Sequence, residues 1–220
     1  MSFERKRDQE LGIRSVGLRE WPKRERRYNR YEATPYRALD RLALEYPLHS
    51  NYSVVDFGAG RGRVSIYLHH RFNCDVVGVE VNETTLDEAL WNLEAYQEKH
   101  PRRGAGKLRF DYAMAEQYPI ENHHNCFYFF NPFSLEIYQA VLSNITRSFK
   151  DSPRPMDLII YYPLPEVERY IRQNTPFTLF KKVMAYGAHG EYGRFLIYRA
   201  GYQEKITTLE DDLDFDFDFE

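Results

Sequence analysis

Two periodicities of apolar residues divide the chain. From Ser53 onward, short unbroken apolar runs alternate with longer stretches in which apolar positions fall three and four residues apart. Unbroken runs suit strands buried on both faces, and the wider spacing suits helices with one apolar face. The runs predict strands at Ser53 to Phe57, Asp75 to Val81, Leu108 to Tyr112, Cys126 to Phe130 and Met156 to Tyr162, the third and fourth of them buried. Helices are predicted between them at Gly62 to Phe72, Glu83 to Lys99, Leu135 to Phe149 and, after the fifth strand, Glu166 to Gln173. In the helix from Glu83, Leu86, Leu90, Leu93 and Tyr96 should share one face. A further helix, Ala38 to Tyr46, carries Leu39, Leu42 and Ala43 at helical spacing and is stopped by Pro47.

The end of the chain breaks the alternation. Phe177 to Tyr186 and Arg194 to Arg199 both read as strands, and the intervening Gly187 to Gly193 has no helical capacity, so the two should pair antiparallel. The predicted architecture is α/β: a doubly wound, mostly parallel seven-stranded sheet with a C-terminal antiparallel hairpin and helices on both faces. Ahead of it, Leu11 to Arg30 is rich in Arg, Lys and Glu, with Pro22 interrupting any long helix, and reads as an arm with short helices. The expected division is a basic N-terminal arm over 1–33, one domain over 34–203, and an acidic tail over 204–220.

Composition narrows the chemistry. A chain of 220 residues supports one substantial core. No apolar run approaches the roughly 20 residues of a membrane span, and the charged start lacks a secretory pattern, so a cytoplasmic protein without membrane partners is expected. Cys74 and Cys126 lie in apolar segments and fit buried reduced thiols. The adjacent pairs His69-His70 and His123-His124 point in diverging directions and match no common ligand spacing, so no metal is expected; they read as polar helix-end and loop residues. No Ser/His/Asp order or carboxylate pair marks a hydrolase.

The sharpest signal is the loop after the first strand. Gly58, Gly60 and Gly62 lie between a buried strand and a helix, where glycine lets backbone approach a ligand and leaves N–H groups free at the helix start. A dinucleotide loop would read G-x-G-x-x-G, but here the third glycine comes one position early and Arg63 takes its place. The carboxylate of Asp56 beside the loop would repel a pyrophosphate and suits a ligand carrying an ammonium group and a sulfonium. Glu80 ends the second strand about 20 residues further on, where a carboxylate can accept from two ribose hydroxyls; the alternative is a surface charge at a strand end.

The stretch Val55-Asp56-Phe57-Gly58-Ala59-Gly60-Arg61-Gly62 resembles the first motif of the class I methyltransferases, which use S-adenosylmethionine, and the likeness extends over roughly Thr34 to Arg199. The resemblance implies that Asp56, Gly58, Ala59, Gly60 and Gly62 hold the amino-acid end of the donor, that Glu80 holds the ribose, and that Val81 and Asn82 flank the adenine. Where many relatives carry an acid after the third strand, this chain has Met114; backbone at Ala115 under Met114, or else Glu116, would then meet the adenine. Asp111 reads as structural or solvent-facing. Thr34-Pro35 is similar to a Thr-Pro motif that packs over the donor methionine in some amino-group methyltransferases, and it also reads as a helix N-cap followed by proline.

Asn131-Pro132-Phe133 resembles the (Asn/Asp)-Pro-Pro-aromatic motif of enzymes that methylate planar amino nitrogens, without its second proline. The resemblance implies that the Asn131 side-chain oxygen and the following carbonyl accept the amino protons while Phe133 stacks on the target; the alternative is a structural turn. Arg24, Arg26, Arg27 and Arg30, interleaved with Tyr28 and Tyr31, could hold RNA, or be a solvated face paired with Glu20 and Glu25. The alternating Asp214 to Phe219 stretch could dock on that arm and compete with an anionic substrate, or have no specific role. The function expected is methyl transfer from S-adenosylmethionine to an amino nitrogen of RNA, protein or a small molecule. The alternatives are a nicotinamide-dependent oxidoreductase and a non-catalytic donor-binding module.

Overall fold

A computed structural model describes residues 1–17, 32–102, 106–185 and 193–202. Seven strands form one sheet: β1 (Ser53–Phe57), β2 (Asp75–Glu80), β3 (Leu108–Tyr112), β4 (Cys126–Phe130), β5 (Met156–Tyr161), β6 (Thr178–Met184) and β7 (Arg194–Ala200). Among the described residues six α-helices accompany them: α1 (Phe3–Leu11), α2 (Tyr36–Glu45), α3 (Arg63–Phe72), α4 (Glu83–Lys99), α5 (Leu135–Asp151) and α6 (Pro165–Asn174). The order across the sheet is β3-β2-β1-β4-β5-β7-β6; β7 is antiparallel to both neighbours, and the remaining pairs are parallel. The reversal expected over Gly187 to Gly193 lies largely outside the described residues, as do the basic and aromatic positions of the arm and the acidic tail.

The central strands are buried along their length except at Phe130, the half-buried last residue of β4, and their side chains alternate between two cores. Val54, Cys126, Tyr128 and Ile159 face α2, α3 and α4, while Val55, Phe127, Phe129 and Ile160 face α5 and α6. A helix layer on each side is what unbroken apolar strands require, because a face left to water would favour a polar residue at every second position.

Three expectations change. Leu108–Tyr112 is an edge strand with only Phe110 buried, since its outer neighbour is solvent. On α4 the face turned inward is Thr85, Leu86, Ala89, Asn92 and Tyr96; Leu90 lies on the exposed side and Leu93 is half-buried. At the start of the chain, residues placed in the arm form α1, capped by the Ser2 hydroxyl and closed by Gly12 at φ 80°. Leu11 and Ile13 join the core beneath α3 and α4.

At the amino end of β5, Asp157 is fully buried and accepts hydrogen bonds from the hydroxyls of Tyr46 (2.7 Å), Tyr52 (2.8 Å) and Tyr202 (2.9 Å) and from Arg199 Nε (3.2 Å). The Arg199 guanidinium lies 3.5 Å over the Phe180 ring. This cluster ties α2, β5, β6 and β7 to the residues following the last strand. Cys74 and Cys126 are free and buried, and burial pushes the Cys74 thiol up to about 12. His124, read as a loop residue, is fully buried; its Nδ1 accepts from the Glu121 amide, and desolvation lowers it to about 4, so it stays neutral. Among the described residues no helix is long and apolar enough to cross a membrane, and no group of His, Cys, Asp and Glu is placed to hold a metal ion.

Candidate functional site

In an open parallel sheet the crevice forms at the carboxyl ends of the strands where the winding reverses, because the two flanking connections leave in opposite directions there. In this sheet that point lies between β1 and β4. Asp56 stands opposite Tyr128 and Phe57 opposite Phe129, so the glycine loop after β1 and the Asn131-Pro132 turn after β4 leave the sheet side by side.

The loop is built on left-handed backbone: Gly58, Gly60 and Gly62 have φ of 75°, 56° and 81°. A Cβ on Gly58 would lie 2.5 Å from Cβ of Pro132, and one on Gly62 would lie 2.4 Å from the Phe110 ring. Glycine is therefore required both for conformation and for space. The amides of Gly58 and Ala59 donate to the Val79 carbonyl at 2.9 and 3.1 Å, and the Gly60 amide donates to Glu80 Oε2 at 2.9 Å. Glu80 Oε1 accepts the amides of Val81 and Asn82, each at 2.9 Å. Glu80 is thus no surface charge: it is buried, lines the pocket, and fixes the glycine loop against the end of β2.

Asp56 is buried at the base of the loop and accepts from the Ser65 hydroxyl at 2.6 Å. Desolvation raises its carboxyl to about 7, with the nearby Glu80 adding to the rise and Ser65 opposing it. A ligand cation would relieve both penalties.

Of the positions expected to bind the donor, Thr34, Asp56, Gly58, Ala59, Gly60, Glu80, Val81 and Ala115 line one pocket. The others sit around it. Pro35 is the N-cap of α2, Gly62 caps α3 with its back to Phe110, and the Asn82 side chain caps α4 by accepting from the Thr85 amide at 2.9 Å. Thr34 does not cap α2; its hydroxyl shares a 2.9 Å hydrogen bond with the Tyr128 hydroxyl, which holds the 32–34 segment over the sheet. Met114 is 44% exposed and outside the lining, whereas Ala113 and Ala115 lie within it.

Asn131 follows β4 at φ 39°, a left-handed conformation that asparagine tolerates better than most residues. Pro132 and Phe133 line the pocket. The Phe133 ring is nonetheless 2% exposed, with its centroid 4.7 Å from that of Tyr138, edge to face, so it packs into the core instead of offering a face for stacking. Without a second proline the aromatic falls one position early and turns inward. The half-buried ring on the lining is Phe130, packed against Tyr161 at 4.7 Å.

Sequence reasoning also missed Glu32 and Arg63. Arg63 opens α3 and is 4% exposed. Its Nε donates to the Ser15 hydroxyl at 2.7 Å, and its Nη1 donates to Glu4 and, at 3.1 Å, to the Thr34 carbonyl. Asp8 lies 3.7 Å from Nη2 and accepts from the Ser15 amide (2.5 Å), the Ser15 hydroxyl (2.6 Å) and the Tyr36 hydroxyl (2.7 Å). A parallel set joins Arg61 to Glu88 and to the Val16 carbonyl. The single signal for this clamp was the Ser2 to Gly12 spacing that marks α1.

A cradle of glycine backbone lined by Glu32, Asp56 and Glu80 fits a donor with an ammonium and a sulfonium, and S-adenosylmethionine supplies an electrophilic methyl group there. Comparison with known proteins agrees. A family model described as a methyltransferase domain matches residues 54–152. No curated protein sequence matches the chain. Among solved structures, an RNA methyltransferase from Salinibacter ruber in complex with S-adenosyl-L-homocysteine superposes with a TM-score of 0.55 at 16% identity, over 80% of this chain and 97% of that one. A tRNA (uracil-54, C5)-methyltransferase from Pyrococcus abyssi gives 0.55 at 15% identity, over 77% and 39%. The magnesium protoporphyrin IX methyltransferase of Synechocystis gives 0.52 at 17% identity, over 74% and 79%. These structures share the fold, and the family match spans the glycine loop, Glu80 and the Asn131-Pro132 turn. Residues 54–152 therefore match a methyltransferase domain, set in the Rossmann-like fold that these methyltransferase structures share.

Proposed function

We propose that the enzyme transfers the methyl group to an amino nitrogen of RNA. The observation that carries the amino-nitrogen reading is the turn after β4, where Asn131 sits in left-handed backbone and Pro132 lies in the pocket lining directly against Gly58 of the donor loop. In this reading the Asn131 side-chain oxygen and the Pro132 carbonyl accept the amino protons and turn the nitrogen lone pair toward the methyl. Alignment supplies most of the rate, because the charge of the sulfonium disperses during an in-line displacement and little base strength is needed. Phe130, rather than Phe133, is then the ring beside the target.

The RNA reading rests on residues 18–31, which carry six Lys and Arg against two Glu, together with Trp21, Tyr28 and Tyr31. Their flanks are anchored at the site: Val16 is held by Arg61 of the glycine loop, and Glu32 to Thr34 belong to the pocket lining. A basic and aromatic composition between such flanks suits phosphates and stacked bases. The test is incubation with donor carrying a labelled methyl group and fractionated RNA, protein and metabolite pools. Label in RNA that is lost in Asn131→Ala, with donor binding retained, supports the proposal. Label confined to protein or metabolites refutes the RNA reading, and label undiminished in Asn131→Ala refutes the amino-nitrogen reading.

A further inference from the structure

Arg63 is the single Lys or Arg among the described residues lining the donor pocket. The donor's transferable group is attached to a sulfonium, so an uncompensated guanidinium in the wall would oppose it. Arg63 also stands in the first turn of α3, where the helix dipole is positive and a cation is disfavoured. Two carboxylates from the N-terminal segment meet this charge. Glu4 accepts from Nη1, and Asp8, itself 5% exposed, lies 3.7 Å from Nη2 while Ser15 bridges the two side chains. No residue of 1–17 lines the pocket; the segment touches its wall at Arg63, which in turn donates to the Thr34 carbonyl.

We propose that Glu4 and Asp8 are positioning residues that neutralise Arg63 and thereby set the preference of the pocket for the sulfonium donor over its neutral thioether product. With both acids in place, the net charge of the wall is governed by Asp56, Glu80 and Glu32 and favours a cation. When an acid is lost, the Arg63 charge is exposed to the sulfonium, while the thioether of S-adenosylhomocysteine has no matching charge to repel. The two ligands share the same adenosine and amino-acid groups, so a general loosening of the site would weaken both alike. The inference concerns donor binding and is independent of the acceptor proposed above.

The test is titration calorimetry of the full-length protein with S-adenosylmethionine and with S-adenosylhomocysteine at low salt. Glu4→Gln, at a partly exposed position that should leave folding intact, is expected to lower the ratio of donor to product affinity about 3- to 10-fold, and Asp8→Asn at least as much. Replacing Arg63 by Gln in the Glu4→Gln protein should bring the ratio back to within about twofold of the native value, because the uncompensated cation is then gone. Equal weakening of both ligands in Glu4→Gln, an unchanged ratio, or a lowered ratio that persists when Arg63 is also replaced would overturn the proposal. Should Asp8→Asn fail to fold, the two Glu4 variants decide the matter.

Discussion

Asp56 makes the donor-free protein less stable as the pH rises, and Asp56→Asn should expose this directly. Its carboxyl is raised from an ordinary 3.8 to about 7 by burial. The folded state therefore keeps a proton that the unfolded chain has already released. This contribution is complete below pH 3.8 and is lost as pH climbs through about 7. The cost approaches about 1.4 kcal/mol per unit near pH 5 and halves as pH reaches 7, so native protein should fall behind Asp56→Asn by about 2 kcal/mol across that interval. For a chain of this size that corresponds to a gap in Tm widening by about 4–8 °C. Thermal unfolding of both proteins at constant ionic strength from pH 5 to pH 8.5 measures it. A gap that stays constant with pH would refute the assignment. Product binding should reverse the order: S-adenosylhomocysteine carries an ammonium, so it should raise the Tm of the native protein far more than that of Asp56→Asn. Its binding near pH 7 should release a proton, seen as a buffer-dependent heat.

Three further outcomes follow from the packing. Gly58→Ala places a Cβ 2.5 Å from Pro132 at φ 75°, and should reduce S-adenosylhomocysteine affinity at least 10-fold by calorimetry while leaving the far-ultraviolet circular dichroism unchanged. Asp157→Asn removes the charge that Arg199 and three tyrosine hydroxyls share, and should cost about 3–5 kcal/mol in chemical denaturation with donor affinity of the folded protein unaltered. Cys74 and Cys126 should resist an aromatic disulfide reagent until denaturant is added, then titrate as two thiols; fast labelling of either in the native protein would contradict their burial.

The sequence reading succeeded where the physical demand is local. The strands from Ser53, Asp75, Leu108, Cys126 and Met156 each begin where predicted, and the central ones are legible because a strand buried on both faces is apolar at nearly every position. The glycine loop was legible because left-handed backbone and close approach both select glycine. Partners distant in sequence were not legible. Leu108 to Tyr112 was read as buried although Arg109 and Asp111 alternate with its apolar residues; what the segment does not reveal is its place at the sheet edge. The charged stretch from Phe3 to Leu11 has a mostly polar surface, and its role depends on Arg63, 59 residues beyond Glu4. The inward turn of Phe133 could be read from the missing second proline only as a shift of one position, without saying what would receive the ring.

Phe110 sits on the exposed edge of the sheet, yet its ring fills the space vacated by both Gly62 and Gly78, where an added Cβ would approach to 2.4 Å. The curvature of the donor loop is therefore moulded by a strand that is otherwise peripheral. Side-chain volume at positions 62, 78 and 110 forms a closed sum: enlargement at either glycine requires contraction at 110, and contraction at 110 alone leaves a void behind the loop. Among homologues these three positions should vary in concert, and a variant library made at all three should recover donor binding only along that line of constant volume.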